Sequence, residues 1–333
     1  MEMPYELQAA INEIALEMPT SALAAAAKSL SQRYREDVRD GHSLLTGSID
    51  AFAYACARMP ATYTAIYSAL LHAGIEESGY ATLLDAGAGT GAASWAAAEA
   101  LPTLKRIDCV EREDAMLTLG QRLMKGASLF DGIDVDWFKA DITAIDAAHK
   151  YDLVISSYMT NEMDEGTRLA LIDKLWSMTS GMLLILEPGT PEGFRIMRGI
   201  HERVLSLGGH IAAPCPCEGA CPMPDSDWCH VTCRVQRNKL HKYLKGGSAP
   251  YEDEKYCYMA FTRAECAHCA SRVLRHPQIQ NGRITLELCT PQGLKTRVVT
   301  KREKPIFHVA RKVECGDEFA CEGNGGELLA VSR

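Results

Sequence analysis

The sequence predicts an α/β protein built on a doubly wound parallel sheet. Three observations carry this: five short apolar runs of strand length between residues 81 and 187, helix-patterned segments between most of them, and a glycine-rich turn directly after the first run. Ahead of the alternation, residues 5–78 read as helical. Leu7, Ile11, Ile14, Ala15 and Met18 fall at helical spacing, and residues 22–30 are alanine-rich. Ser48-Ile49-Asp50 can cap the next helix. Pro60 restarts it near Met59, and Gly74 ends the segment carrying Tyr63, Ile66, Tyr67 and Leu70.

The expected strands are residues 81–85, 106–111, 135–141, 151–156 and 182–187, the last stopped by Pro188-Gly189. Helices are expected at 92–100, 115–125, 167–178 and 193–207. Later strands are expected at 256–262, 285–289 and 297–300, with Gln292-Gly293 turning a hairpin between the last two. After Cys315 the chain becomes Gly- and Glu-rich and reads as a loose tail. The division that follows is a helical region over 1–78, a core over 79–207, a Cys-rich insertion with late strands of the sheet over 208–313, and a tail over 314–333.

At 333 residues, with 47% apolar and 23% charged side chains, the chain has the composition of a soluble globular protein. Its first residues hold neither a basic nor an apolar leader segment, and no apolar run approaches bilayer length. No secretion signal and no membrane partner are expected. Thirteen cysteines without an export signal point to a reducing, cytoplasmic setting of bacterial type, with ligand or free-thiol roles rather than disulfides.

Asp85-Ala86-Gly87-Ala88-Gly89-Thr90-Gly91 lies between a strand and a helix, where glycines let the backbone come close to a ligand. The opening acid and the G-x-G-x-G spacing fit S-adenosylmethionine better than a dinucleotide. Asp85 can reach the ligand's ammonium, and Gly87, Gly89 and Gly91 form the cradle. Glu111, ending the second strand, can hold the ribose hydroxyls; Asp141 and Ile142, ending the third, can grip the adenine. Ser157, just past the fourth, falls near the methionine end. Catalysis has no such signature. The stretch Ser156-Ser157-Tyr158-Met159-Thr160-Asn161-Glu162 lacks the Asn/Asp-Pro-Pro-aromatic turn of many amino-directed methyltransferases, and no cysteine lies between Cys109 and Cys215. Asn161 and Glu162 can orient a substrate or cap a helix; no catalytic residue is assigned.

Cys215, Cys221 and Cys229 form C-x5-C-x7-C within a proline-bent loop, and Cys289 lies on a distant expected strand. Thiolates gathered in a reducing compartment repel one another unless they share a cation, so the set reads as a metal or iron–sulfur site. The spacing leaves zinc and iron–sulfur both open.

The net charge of −8 conceals an asymmetry: residues 230–312 hold 17 Lys and Arg against 6 Asp and Glu. Such a basic face on an acidic body is an electrostatic footprint for nucleic acid. Arg234, Arg237, Lys239, Lys242 and Lys245 are the expected phosphate contacts, with Arg234, Arg237 and His241 at helical spacing. Glu252-Asp253-Glu254-Lys255 reads as partners for nearby cations rather than as chemistry.

Several segments together resemble the methyltransferase-like family of small-ribosomal-subunit assembly factors of mitochondria and bacteria. They are Arg58-Met59-Pro60-Ala61-Thr62-Tyr63, the glycine loop, Leu186-Glu187-Pro188-Gly189-Thr190-Pro191-Glu192-Gly193-Phe194, Ala213-Pro214-Cys215-Pro216, Asp227-Trp228-Cys229-His230, Lys245-Gly246-Gly247, Tyr251-Glu252-Asp253-Glu254-Lys255, and the turn from Cys289-Thr290-Pro291 to Gly293. The resemblance runs from about residue 45 to 313. It implies an α/β, Rossmann-like class I methyltransferase core with an N-terminal helical region and a Cys-rich metal-binding insertion. It also implies S-adenosylmethionine binding, a four-iron–four-sulfur cluster on Cys215, Cys221, Cys229 and Cys289, and contact with the small ribosomal subunit and its RNA, with or without methyl transfer. Members often have His where this chain has Cys217. That departure leaves Cys217 open as a ligand, Cys233 is a spare thiol, and Cys266-Ala267-His268-Cys269 is a C-x2-C that can bind zinc separately but reads as ordinary buried or free thiols. The competing expectation is a small-molecule methyltransferase with a zinc-stabilised lid.

Overall fold

The computed structural model describes residues 3–36 and 47–320. Four helices come first: α1 (Tyr5–Ala15), α2 (Thr20–Glu36), α3 (Ser48–Ala57) and α4 (Met59–His72). Leu7, Ile11 and Ile14 bury one stripe of α1. Pro60 stands in the first turn of α4, where its missing N–H removes no helical bond, so the chain restarts there as expected.

The alternation then runs β1 (Thr82–Ala86), α5 (Ala92–Ala100), β2 (Arg106–Glu111), α6 (Asp114–Met124), β3 (Asp134–Lys139), β4 (Tyr151–Ser157), α7 (Glu165–Met178), β5 (Thr179–Pro188) and α8 (Pro191–Ser206). Strands β1 to β5 are parallel in the order β3-β2-β1-β4-β5, which places a topological switch point between β1 and β4. Strand β3 stops at Lys139, so Asp141 lies in the turn beyond it rather than in the expected strand. On β3, Trp137 packs against α6 where Gly120 has no side chain; a Cβ there would stand 2.2 Å from the indole.

The remaining elements are β6 (His210–Ala213), β7 (Val231–Gln236), α9 (Lys239–Lys245), β8 (Tyr251–Thr262), β9 (Arg272–Val273), β10 (Gln278–Gln280), β11 (Arg283–Thr290), β12 (Gly293–Thr300) and α10 (Lys304–Ala310). Strand β8 runs antiparallel to β5, from Met182↔Thr262 to Pro188↔Tyr256. Its other edge is shared, with β7 paired along residues 251–256 and β6 along 260–262. The cysteine loop therefore leaves the sheet at Ala213 and rejoins it at Val231, passing over Cys257, Tyr258 and Met259. The full order β3-β2-β1-β4-β5-β8-β6, with β8 antiparallel, is a Rossmann-like methyltransferase core.

Helices α1 to α6 lie on one face of this sheet and α7 and α8 on the other, each with its own apolar cluster. Alternation along β8 serves both, because Tyr256, Tyr258 and Ala260 join the first cluster and Cys257, Met259 and Phe261 the second.

Four expectations are corrected. Of the three late strands expected only β8 joins the main sheet; β11 and β12 form a second, four-stranded antiparallel sheet with β10 and β9, covered by α10 over its own core. Its hairpin turns on Pro291-Gln292, since Thr290 already pairs with Gly293. Arg234 and Arg237 share no helical face with His241: Arg234 is on β7, where Val231, Cys233 and Val235 alternate inward, and only His241 is on α9. Residues 314–320 are not a loose tail, because Cys315 and Phe319 are buried and Arg272 donates to the Gly316 carbonyl oxygen at 3.0 Å. The rest of that expected tail lies outside the described residues.

Phe261 is fully buried on β8. Phe261→Ala should lower the unfolding free energy by about 3–5 kcal/mol in urea titration. The same truncation at exposed Tyr243 should change it by no more than about 0.5 kcal/mol.

Candidate functional site

The residues expected to bind a cofactor all stand at the carboxyl ends of β1 to β4, along one edge of the sheet. Asp85 is buried at the end of β1, and its Oδ2 accepts from Ser94 N at 3.0 Å and Ser94 Oγ at 2.7 Å. Burial raises its carboxyl to about 6 although both Ser94 bonds oppose the shift. Gly87, Gly89 and Gly91 have φ of 73°, 57° and 84°, a left-handed run that other residues adopt only under strain. A Cβ at Gly87 would stand 2.5 Å from Met159 Sδ, and one at Gly91 2.4 Å from Met124 Cε.

Glu111 faces this loop. Its Oε2 accepts from Gly89 N and its Oε1 from Glu113 N, each at 2.8 Å. Each carboxylate oxygen retains capacity for a second donor, such as a ribose hydroxyl. Burial raises the Glu111 carboxyl despite these bonds. Asp141 is exposed and held below the usual range by the Thr143 hydroxyl, which donates to it at 2.7 Å; Ile142 beside it is buried. Ser157 is half-buried at the end of β4. The structure thus brings the eight positions to one edge and leaves Asp141 at its open end.

Sequence reasoning missed Glu187. This fully buried acid ends β5 and accepts from Thr160 N at 2.9 Å and Thr160 Oγ1 at 2.5 Å. With its amide nitrogen turned inward, Asn161 donates to Glu187 Oε2 at 3.1 Å and to the Tyr158 carbonyl oxygen at 3.2 Å. Arg168 Nε donates to the Thr160 carbonyl oxygen at 2.9 Å. Glu162 lies 3.7 Å from Arg112. Asn161 and Glu162 therefore shape the loop after β4, and Glu187 is its anchor. The one signal for it was an acid closing an otherwise apolar strand. Burial raises Glu187 to about 7 against the bonds from Thr160.

The four cysteines expected as ligands line one pocket. Cys215, Cys221 and Cys229 enter it from the loop between β6 and β7, and Cys289 from β11 of the second sheet. Phe194 and Met197 of α8, with Cys257 and Met259 of β8, complete its apolar wall. Burial pushes the Cys215 thiol up, with Cys221, Cys289 and Cys217 adding to the shift. Cys289 rises to about 12 through burial, then through Cys221 and Cys217. Both shifts favour the neutral thiol at Cys215 and Cys289. An all-sulfur donor set of this kind suits a soft metal or an iron–sulfur cluster. Among the described residues, no three His, Cys, Asp or Glu side chains converge on a single-ion site.

The loop is tied down around this pocket. Arg272 Nε donates to the Pro214 carbonyl oxygen at 2.8 Å, Arg275 bonds Asp227 at 2.7 Å, and Trp228 Nε1 donates to the Gly189 carbonyl oxygen at 3.0 Å. Cys257 Sγ donates to the Cys229 carbonyl oxygen at 3.1 Å. Of the spare thiols, Cys217 lines the pocket, Cys233 is buried in β7, and Cys266 donates to the Ile211 carbonyl oxygen at 3.3 Å. Cys269 stands 4.0 Å from the Pro214 carbonyl oxygen.

The expected phosphate contacts divide. Arg234 pairs with Asp253 at 3.0 Å and stacks over Tyr251, while Arg237 and Lys245 both bond Glu252. His241 is buried with Nε2 3.4 Å from Glu252. Burial would raise Glu252, but its cationic neighbours hold it well below the usual range. The acidic motif is therefore a charge partner, as expected. Lys239 is exposed and Lys242 half-buried, with no ion pair among the described residues.

Comparison with known proteins gives a family match over residues 48–320, to the family described as "Mitochondrial small ribosomal subunit Rsm22". The human protein "Ribosome assembly protein METTL17, mitochondrial" is 26% identical over 257 residues, which covers 71% of this chain and 54% of that protein. "Rsm22-cox11 tandem protein 2, mitochondrial" of Schizosaccharomyces pombe is 24% identical over 329 residues, covering 81% of this chain and 43% of that protein. The chain thus spans about half the length of the curated relatives it matches. Among solved structures, magnesium protoporphyrin IX methyltransferase from Synechocystis with bound S-adenosylmethionine aligns at a TM-score of 0.41 and 14% identity, covering 70% of this chain and 90% of that one. The N-methyltransferase NodS from Bradyrhizobium japonicum aligns at 0.39 and 13%, covering 59% and 84%. The relatives correct one expectation: the family and both named relatives are described as mitochondrial, which overturns the cytoplasmic, bacterial-type location.

The buried acid of β5 generates a pH prediction. Glu187 keeps its proton up to about 7 when folded, against 4.5 unfolded, so its stabilising contribution is full below 4.5 and fades as pH rises toward 7. Relative to Glu187→Gln, which stays neutral, the native protein should lose a few kcal/mol of unfolding free energy between about pH 4.5 and about pH 8. Urea titrations across that range measure it; a constant difference would mean the carboxyl is ionised throughout.

Proposed function

The chain belongs to the Rsm22 family of mitochondrial small-ribosomal-subunit proteins, and on that premise we propose that it is a small-ribosomal-subunit assembly factor with three working parts. It binds S-adenosylmethionine along the carboxyl edge of β1 to β4. It carries a four-iron–four-sulfur cluster on Cys215, Cys221, Cys229 and Cys289. It meets ribosomal RNA through a basic surface. The observation that supports this most strongly is Cys289: a thiol of the second sheet faces the same pocket as three thiols of the main-sheet loop.

In this reading the chain's own residues do the positioning. Asp85 fixes the first turn of α5 through Ser94, so the loop of Gly87, Gly89 and Gly91 presents its backbone to the ligand. Glu111 takes the ribose hydroxyls on its remaining lone pairs, Asp141 and Ile142 flank the adenine, and Ser157 stands toward the methionine end. Bound there, S-adenosylmethionine supplies an electrophilic methyl group or a ligand that orders the edge. Asn161 is tied to Glu187 and Glu162 lies against Arg112, so in this reading both shape the loop after β4 and neither is assigned a catalytic step.

At the thiol pocket, Arg272 and Arg275 hold the two ends of the cysteine loop, and Cys289 joins it to the second sheet. Binding energy released there becomes folding energy for the cysteine loop and the second sheet it would join.

Protein prepared without oxygen should contain about four iron and four sulfide per chain, with a broad visible absorbance shoulder. Cys289→Ser should lose most of both. Colourless protein holding one zinc per chain would overturn the cluster and favour a zinc-bound insertion. Separately, Glu111→Ala should weaken S-adenosylmethionine binding about tenfold or more in calorimetry, the cost of charge-assisted bonds to the ribose.

A further inference from the structure

Among the cations of residues 230–312 the structure separates two populations. Around β7 and α9 most are already neutralised: Arg234 by Asp253, and Arg237 and Lys245 by Glu252. A cation must give up its carboxylate before it can bind a phosphate, so such groups add little to affinity for a polyanion. The second population lies on β12, α10 and the turns beside them. Lys295, Lys301, Arg302, Lys304, Arg311 and Lys312 are all exposed, and none is ion-paired among the described residues. Lys295 and Lys301 reach only the neutral acceptors Gln292 and Asn281. Glu303, the one acid between residues 295 and 312, is engaged by Arg297 at 2.6 Å and by Thr300 N at 2.9 Å.

From this we infer that the RNA-contacting surface is the β12–α10 unit rather than α9. The inference rests on the assembly-factor reading above and gives its basic surface a place. Packing explains the outward charge: α10 buries Ala310 against the sheet, with Ile306, Phe307 and Val309 packed beside it. Its opposite face carries Lys304, His308 and Arg311 at i, i+4 and i+7, an exposed stripe about 10 Å long. Lys301 and Arg302 extend that stripe through the turn from β12. Because the helix's apolar side chains are committed to the core beneath it, the unit lacks the outward apolar face with which an interfacial helix enters a bilayer. A polyanion bound through phosphates, RNA, is the partner this surface fits.

The test uses the full chain and a transcribed fragment of small-subunit ribosomal RNA, titrated between roughly 50 and 200 mM salt. One variant combines Lys301→Glu, Arg302→Glu and Lys304→Glu, with the corresponding triple alanine variant as the milder form. A second combines Lys239→Glu and Lys242→Glu. Thermal midpoints confirm that each is folded. The β12–α10 variants should bind RNA at least about tenfold more weakly, and the slope of log K against log salt should fall by about two to three. The α9 variant should stay within about threefold. Native-like binding by the β12–α10 variants, or a larger loss from the α9 variant, would overturn the surface while leaving RNA binding intact. A native protein that ignores the RNA and binds only vesicles rich in phosphatidylserine would overturn the RNA reading itself.

Discussion

Strand β8 bonds β5 along residues 256–262 on one edge and divides its other edge between β7 and β6. Buried backbone groups need partners, so this hand-over sets where the chain can leave the sheet and where it must return. Three residues of β8, Cys257 to Met259, fall between the two partners, and the cysteine loop spans them. The pocket's position follows from that ladder. The second sheet then brings β11 up to the loop, so Cys289 lines the same pocket as Cys215, Cys221 and Cys229.

The same ladder joins the two candidate sites. Glu187 and Cys257 are register partners across β5 and β8. One fixes the loop after β4 through Thr160 and Asn161; the other holds the Cys229 backbone through its thiol. A single step of the sheet therefore separates the anchor of the loop after β4 from a wall of the thiol pocket. Both sites lie against rigid strands rather than on free loops, which is how short polar groups are held to a fraction of an ångström.

Much of the core was legible because its signals are local. Apolar runs alternating with helical patterns gave β1 to β5, and the left-handed glycines gave the turn after β1. Cys289 was grouped with a loop some sixty residues away on thiol chemistry, and the cluster on the four came only through a resemblance, since spacing carries no information about two sheets meeting. Non-local facts stayed hidden for the same reason. Strand β6 is four residues long between glycines and a proline, and its partner is β8, far along the chain. The acidic motif was read as a partner for nearby cations, but charge counts did not say that Glu252 and Asp253 would take Arg234, Arg237 and Lys245, three of the expected phosphate contacts. Glu187 was read as the end of an apolar run, because nothing in the sequence says that Thr160 will sit beneath it. Location was corrected by relatives, not by residues.

Ala213 and Val231, the two ends of the cysteine loop, pair with Ala260 and Tyr256 of β8. Four residues of extended strand put them about 13 Å apart. A gap of fixed width in an otherwise continuous ladder acts as a splice site: segments of different length can close across it at an entropic cost that grows only logarithmically. Variation in the enclosed segment can thus accumulate over evolutionary time while the register of every flanking strand is preserved.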